Sequence, residues 1–302
     1  MSRAVLVIGF NRPDLLLRRV EELADSGARI YVSLDFPKGS EGEANSAYSR
    51  CREIAQQPRI HRFNTETEHL GCRLHILKAV DWFFSCEKEG LILEDDVELQ
   101  TGYESFISAH RNYLEDERFF ALCLFNPIKE CRKDFSITHW NCWGWYTTAE
   151  KWSVLRAAVI RTPKVKFARG TRLMKIGVFL YFTKVIRAVR LNRLDTWDVQ
   201  VHYTVVEKNF LNIFPSSSLS RHTGYDERAT HAGKRDWWEN HNYSRNETST
   251  IREISFDPSV NTTYERAWAM NFRSVLVSVF PEEIVTILRK VKMEFAKPSH
   301  ST

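Results

Sequence analysis

The chain has 302 residues, 43% of them hydrophobic, which suffices to bury a sizeable core in one large domain or two small ones. Its 43 lysines and arginines against 38 aspartates and glutamates leave a net charge of +5, which is too mild to indicate a nucleic-acid partner. The six cysteines include no Cys-x-x-Cys pair, so neither a zinc knuckle nor a disulfide framework is indicated.

The N-terminal residues predict a strand and not a targeting segment. An apolar run begins at Ala4, almost directly after Met1, without the charged and apolar regions of a signal peptide. No later apolar run reaches the length needed to span a membrane. Together with the scattered cysteines, this composition leads us to expect a cytoplasmic protein with reduced thiols.

The first 35 residues predict a strand, a helix and a second strand. The runs 4–10 and 29–34 are typical of parallel-sheet strands, and the helix between them begins near Pro13 and ends at Ser26-Gly27. Such a unit is half of a nucleotide-binding α/β sheet. The predicted buried face of the helix carries Leu15, Leu16, Val20 and Leu23, and the two loops at the carboxyl ends of the strands carry Asn11 and Asp35.

An acidic stretch follows the next predicted strand, 91–93. Because side chains alternate along a strand, Glu94 and Asp96 are expected to point one way and Asp95 the other. In open α/β sheets ligands bind beyond the carboxyl ends of the strands, and hard divalent cations prefer carboxylate oxygen. The stretch therefore indicates a metal-diphosphate site, although a strand followed by an acidic turn or a helix cap explains it equally well.

An aromatic cluster at 140–146 is the next notable feature. Aromatic residues at this density are usually core, but Gly144, between Trp143 and Trp145, indicates backbone that approaches another group closely. Around this cluster and the acidic stretch we predict helices at 47–57, 72–86, 103–114 and 149–160, and strands at 59–63, 119–125 and 210–215.

Residues 161–193 contain ten basic residues and no acid. Their middle part, 173–191, is apolar on one side and basic on the other. This pattern is typical of a helix on an anionic membrane surface, and also of a solvated helix that covers the core.

The helix predicted to begin at Asp195 carries carboxylates in its first turn, where the helix dipole keeps them ionised. Together with the acidic strand end, these carboxylates could catalyse the cleavage of a bond to a diphosphate. Asp96 is the best-placed ligand for a divalent cation, and Glu94 could orient metal-bound water or a ribose. Asp198 could take the proton from an attacking hydroxyl, although a helix cap is an equally good explanation of this residue.

Six stretches, in their order along residues 4–232, resemble the GT-A glycosyltransferases, in particular the branch with N-acetylglucosaminyltransferase I and bacterial surface-polysaccharide sugar transferases. The matching stretches are Phe10-Asn-Arg-Pro13, His69-Leu-Gly71, Leu93-Glu-Asp-Asp-Val97, Trp143-Gly-Trp145 with Trp152, Thr196-Trp-Asp198 with Gln200, and His222-Thr-Gly-Tyr-Asp226 followed by Thr230-His231.

The resemblance implies an α/β fold of the GT-A nucleotide-diphospho-sugar transferase type, with a single mixed, mostly parallel sheet flanked by helices. It also implies a nucleotide-sugar donor, first of all a UDP-sugar, Mn²⁺ or Mg²⁺ at Asp96, and inversion with Asp198 as the base. Asp195 competes for that role, because the family's Trp-Asp-Asp-Trp is replaced by Trp197-Asp-Val-Gln200. The residues expected at the donor are Asn11, Arg12, Asp35, Arg73, Glu94, Asp95 and Trp145, with loop contacts from His222 and His231.

By the same resemblance, residues 1–233 form the catalytic domain, with 161–193 as an insertion, and 234–302 form a helical and polar extension. The expected acceptor is a glycan or a lipid-linked glycan of surface-polysaccharide synthesis, with the protein peripheral on the inner membrane face. A catalytically silent module that binds a nucleotide or glycan is the alternative. A nucleotidyltransferase is a weaker option, since Gly9–Pro13 lacks a glycine-rich phosphate loop.

Overall fold

The computed structural model describes residues 3–39, 43–126, 128, 131, 133–160, 165, 176–224, 254, 256 and 258–261. The strands are β1 (Ala4–Gly9), β2 (Arg29–Leu34), β3 (Ile60–Thr65), β4 (Glu89–Glu94), β5 (Val97–Leu99), β6 (Phe119–Cys123), β7 (Phe135–Ile137), β8 (Trp145–Thr148), β9 (Leu211–Phe214) and β10 (Ser220–His222). The helices are α1 (Pro13–Asp25), α2 (Glu43–Ala55), α3 (Gly71–Cys86), α4 (Tyr103–His110), α5 (Ala149–Ile160), α6 (Ile176–Arg190) and α7 (Asp198–Glu207), with a 3-10 helix at Arg111–Glu115.

Eight strands form one mixed sheet in the order β3-β2-β1-β4-β8-β6-β9-β7. Strands β3, β2, β1 and β4 are mutually parallel, and β6 is parallel to β9, whereas β8 and β7 run antiparallel to their neighbours. This arrangement confirms the predicted fold class, an α/β protein with a mixed, mostly parallel sheet flanked by helices. A second sheet, of β10 and β5, was not expected from the sequence.

Helices cover both faces of the large sheet because its inner strands are apolar on both sides. In β1, Val5 and Val7 pack on the side of α1, α2 and α4, whereas Leu6 and Ile8 pack on the side of α3, α5 and α7. The predicted buried face of α1 is confirmed. All six cysteines are free thiols.

Several predicted element boundaries are wrong, with the largest differences in three helices. Helix α2 begins at Glu43, four residues earlier than expected, and the helix expected over 103–114 changes to a 3-10 turn at Arg111. Helix α7 begins at Asp198, so Asp195 lies before it and not in its first turn. Asp195 instead makes a tertiary contact with α3, described below.

Helix α6 forms most of the described part of the basic segment, residues 161–193. Its buried residues, which include Val178, Phe182 and Ile186, pack against Tyr203 and other apolar residues of α7. The apolar side of α6 is thus largely occupied by the protein itself, as expected of a helix that covers the core. No helix in the described ranges is long and apolar enough to cross a lipid bilayer.

Most of the predicted C-terminal extension, 234–302, lies outside the described residues. Those that are described lie against the rest of the protein: Ile254 is buried in the hydrophobic core, and Asn261 Oδ1 accepts hydrogen bonds from Thr138. Phe256 forms a bridge with Ser136 of β7. Part of the sequence after 233 therefore packs with the sheet.

Candidate active site

The site is built around the turn between β4 and β5. Strand β4 ends at Glu94, opposite Ile8 of β1, so the carboxyl ends of two adjacent parallel strands lie side by side. Asp95 and Asp96 form the turn, and the Asp95 N–H extends the pairing by donating to Ile8 O at 2.9 Å. Three successive carboxylates are thus fixed by the backbone at the edge where α/β sheets bind ligands.

Asp95 points beneath the end of β1. It is 7% exposed, and its Oδ2 would lie 3.4 Å from a Cβ atom added to Gly9. Burial, and then the neighbouring Asp96 carboxylate, raise the pKa of Asp95 to about 8, although Arg12 opposes this shift. Asp95 therefore lies in a poorly hydrated position, with its Oδ1 4.0 Å from Arg12 Nη1, the atom that also pairs with Asp96.

Asp96 is held by two basic side chains, Arg12 and His222. Arg12 Nη1 lies 2.7 Å from Asp96 Oδ2, and His222 Nε2 lies 3.3 Å from the same oxygen. Burial alone would raise the pKa of Asp96, but hydrogen bonding and charge from His222 and Arg12 keep that pKa below its ordinary value. Asp96 is thus kept ionised.

The segment His222-Thr-Gly224 covers this carboxylate, and the structure explains the residue at each position. His222 pairs with Asp96 and stacks on Trp143, with ring centroids 5.1 Å apart. The N–H and hydroxyl of Thr223 donate to the Asp96 carbonyl at 2.7 and 3.0 Å. Position 224 must be glycine, because a Cβ atom there would clash with Asp96 Oδ2.

Asp198 reaches the same region from the start of α7. Its Oδ1 accepts a hydrogen bond from the Thr196 hydroxyl, and the Gln200 side chain donates to the Thr196 carbonyl at 2.9 Å. Desolvation raises the pKa of Glu94 well above its ordinary value, with further contributions from Asp96 and Asp198 in that order. The carboxylates of Asp96 and Asp198 therefore both lie close enough to that of Glu94 to affect its ionisation.

Two further groups near Asp198 were not identified from the sequence. The pKa of the Cys142 thiol and that of the Tyr181 hydroxyl are raised by burial and then by the charge of Asp198. Tyr181 lies on α6, so the basic segment contributes a side chain beside the candidate base. Its position in the chain carried no signal, because an aromatic residue on an amphipathic helix is ordinarily core.

Asp195 caps α3. Its Oδ2 accepts from Cys72 N at 2.8 Å and its Oδ1 from Arg73 N at 3.1 Å, which satisfies two N–H groups of the first turn. Gly71 has φ +78°, and a Cβ atom there would clash with Asp195 Oδ2. The glycine after His69-Leu70 therefore makes room for this cap.

Asp35 binds the adjacent backbone. Its oxygens accept hydrogen bonds from Phe36 N at 2.9 Å and from Leu70 N and Gly71 N at 3.0 Å each, and His69 Nδ1 lies 3.2 Å away. Burial raises the pKa of Asp35 in spite of these donors. Asp35, one of the residues expected at the donor, thus joins the end of β2 to the start of α3.

The remaining predicted residues are distributed as follows. Trp145 is fully buried among Trp140, Trp152 and Trp197, so the structure places it in the aromatic core beneath the site and not at its surface. Asn11 lies beside Arg12 in the loop between β1 and α1, Arg73 lies in the first turn of α3, and His231 lies outside the described residues.

A divalent cation is the cofactor that the sequence predicts. In the part of the chain that the structure describes, no three His, Cys, Asp or Glu side chains are grouped so as to hold an ion by themselves. Ions such as Mg²⁺ are usually held by one or two carboxylates together with substrate phosphates. Both ion pairs of Asp96 among the described residues use Oδ2, so Oδ1 could bind a metal ion. The neighbouring carboxylates provide the hard oxygen ligands that such an ion prefers.

Comparison with known proteins yields similarity of fold only. No family model matches the chain, and no curated protein matches it in sequence. Among solved structures it is similar to mannose-1-phosphate geranyltransferase from Thermus thermophilus, at 14% identity and a TM-score of 0.37, over 71% of this chain and 74% of that one. It is also similar to UDP-glucose pyrophosphorylase complexed with UDP-glucose, at 9% identity and a TM-score of 0.36, over 71% and 90% of the two chains. The glycosyltransferase GlyE of Streptococcus pneumoniae TIGR4 matches at 12% identity and a TM-score of 0.32, over 90% of this chain and 65% of that one.

Proposed function

We propose that this chain is a metal-dependent, inverting glycosyltransferase. It would transfer a sugar from a nucleotide-sugar donor to a hydroxyl of a glycan or lipid-linked glycan in surface-polysaccharide synthesis. A UDP-sugar is the first candidate for the donor. One observation carries the proposal: the carboxylates of Asp96 and Asp198 both act on that of Glu94, which lies at the carboxyl end of β4 beside the parallel strand β1. Such an arrangement brings a candidate base to a candidate diphosphate site.

In the proposed reaction Asp198 accepts the proton of the acceptor hydroxyl. The hydroxyl oxygen forms a bond to the anomeric carbon of the donor while the bond from that carbon to the diphosphate oxygen breaks. The electron pair of the broken bond leaves with the nucleoside diphosphate. Because the hydroxyl attacks on the face opposite the departing group, the configuration at the anomeric carbon inverts. Thr196, which donates to Asp198 Oδ1, holds the carboxylate in place.

The groups around Asp96 would receive the diphosphate. Arg12 is a fixed positive charge beside the turn, and a guanidinium can bind phosphate oxygens through two parallel N–H groups. His222 adds a second donor on the same side. A divalent cation bound at Asp96 would neutralise part of the negative charge on the departing diphosphate.

The acceptor would approach from the side of α6, which places Tyr181 near Asp198. Exposed basic residues of α6, such as Lys184 and Arg187, could hold the protein near anionic headgroups, at about 1 kcal/mol for each residue near the surface. Flotation with anionic liposomes at low and high salt tests this peripheral position. Absent or salt-independent binding would leave α6 as a helix that covers the core.

The second candidate is a silent module that binds a nucleotide or glycan. The observation in its favour is that Asp96 is closed in by Arg12, His222 and Gly224. A screen of nucleotide sugars for manganese-dependent release of nucleoside diphosphate separates the two candidates. Release by the wild type that is lost in Asp96→Ala supports the enzyme, thermal stabilisation by a donor without any release supports the module, and neither effect with any donor contradicts both.

A further inference from the structure

A second cleft lies at the opposite end of the large sheet from Asp96. It has a volume of about 580 Å³ and is bordered by the amino ends of β1, β2 and β4. Its lining residues that matter here are Arg3, Arg29, Glu87, Lys88, Glu89, Ser108 and Arg111. This basal cleft has no part in the proposed transfer reaction, since the carboxylates that carry that reaction are at the carboxyl ends of the strands.

The basal cleft has an excess of positive charge: its lining includes four basic residues and two acidic ones. Two of the basic residues are neutralised within the cleft. Arg29 Nη2 lies 2.7 Å from Glu87 Oε2, and Arg111 Nη2 lies 2.7 Å from Glu89 Oε1. Lys88 supplies the remaining positive charge, because Arg3 forms an ion pair with Glu104, which lies outside the lining.

Lys88 and Arg3 also have unused donor capacity. Among the described residues no carboxylate pairs with Lys88. Arg3 Nη1 lies 3.1 Å from Glu104 Oε1, yet it is buried and makes no hydrogen bond within the described structure. Because the ion pair with Glu104 does not have hydrogen-bond geometry, an anion in the cleft would give this buried donor a better-aligned acceptor. The Ser108 hydroxyl, 3.4 Å from Arg3 Nη2, adds a further polar contact.

We propose that the basal cleft binds a small anion that carries two or more phosphate or carboxylate groups. Lys88 and Arg3 would contact its charged groups, and Arg111 would contribute the donors not used by Glu89. A cleft of this volume accommodates a small molecule and not a polymer. The proposal is independent of the proposed function, because it involves no residue of the site at Asp96.

Titration calorimetry of the full chain with inorganic pyrophosphate, and separately with citrate, tests the proposal. EDTA is present, and the titrations are repeated in Arg12→Gln, so that binding at the site near Asp96 is recognised by its loss in that variant. Lys88→Gln should weaken binding about tenfold, as expected for one charge-assisted hydrogen bond. Glu89→Gln should tighten it several-fold, because it releases Arg111. The control Arg118→Gln removes an exposed arginine outside the cleft and should leave binding unchanged.

Binding of pyrophosphate alone would identify phosphate groups as the ligand chemistry, and binding of both probes would extend it to carboxylates. The proposal is overturned if neither probe binds at millimolar concentration. It is also overturned if Lys88→Gln and Glu89→Gln bind like the wild type, or if binding is lost in Arg12→Gln and retained in Lys88→Gln. Thermal unfolding of each variant confirms that it is folded before titration.

Discussion

The guanidinium of Arg12 and the carboxylate of Asp96 form a 2.7 Å ion pair across 84 positions of sequence. Both side chains are largely shielded from water, with 9% and 13% exposed. The pair joins the loop after β1 to the turn after β4, so the two strand ends that border the candidate site are fastened to each other. Arg12, which would contact the donor diphosphate, thus also orients Asp96, which would bind the metal ion.

Arg12→Gln should destabilise the protein by about 3 kcal/mol, because removal of one partner leaves a shielded carboxylate without its counter-charge. Urea unfolding without metal measures this loss. Manganese should raise the thermal unfolding temperature of the variant more than that of the wild type, since an ion at Asp96 would replace the lost charge. Arg118→Gln, which breaks an exposed pair with Asp116, is the control and should change stability little. Equal effects of the two variants would show that the Arg12 pair has no special structural role.

Asp198→Asn and Asp195→Asn should have opposite effects. The first should abolish sugar transfer and keep donor affinity and stability, because an amide of the same shape cannot accept a proton. The second should keep transfer and lose about 1 kcal/mol of stability, because Asp195 caps α3. Transfer assays and urea unfolding of both variants provide the comparison. Loss of transfer in Asp195→Asn with activity retained in Asp198→Asn would reverse the assignment.

Gly71→Ala should destabilise the protein more than Gly27→Ala. Both glycines have positive φ, +78° and +71°, so both substitutions carry the same backbone cost of roughly 1–2 kcal/mol. Only at Gly71 would the new Cβ atom meet the cap, at Asp195 Oδ2, whereas at Gly27 no atom of the described residues lies within 4 Å of such a Cβ atom. The difference in unfolding free energy therefore isolates the contact between α3 and Asp195. Equal losses would mean that Asp195 moves away at no cost.

Stability should fall as the pH is lowered through the range in which histidines titrate. Burial lowers the pKa of His75 to about 3, and burial followed by the adjacent His139 lowers that of His202. Below an unfolded pKa of about 6.5, the unfolded chain therefore binds more protons than the folded one, so each group removes up to about 1.4 kcal/mol per pH unit until its folded pKa is reached.

Urea unfolding at pH 7.5 and at pH 5.5 checks this dependence. His75 lies 3.1 Å from the Ser33 hydroxyl in the interior, so His75→Gln keeps a polar group there and removes the titration. The variant should show a shallower pH dependence than the wild type. Identical slopes would show that His75 is protonated in the folded state.

Local patterns were enough to predict much of the fold. The apolar run of β1, the period of α1 and the stop at Gly27 are determined by residues near one another in sequence, so their prediction was accurate. The acidic turn was found for the same reason. The strand β8 was missed because its aromatic residues, including the buried Trp145, look the same whether they face a ligand or a core.

Pairings between distant segments could not be predicted in this way. The cap of α3 by Asp195 joins positions more than 120 residues apart, and no local periodicity encodes such a contact. The same holds for the segment His222-Thr-Gly224 over Asp96. The resemblance to a family pattern drew attention to these residues, but only the fold shows that Gly71 and Gly224 leave room for carboxylates.

The most direct measurement of the central claim is calorimetric titration of a UDP-sugar, with and without manganese, into the wild type, Asp96→Ala and Asp195→Asn. We expect the wild type and Asp195→Asn to bind the donor only with manganese. Asp96→Ala should lose this binding and remain folded, since its side chain lies in a turn and fills no core space. Manganese-dependent donor binding that is unchanged in Asp96→Ala would contradict the account.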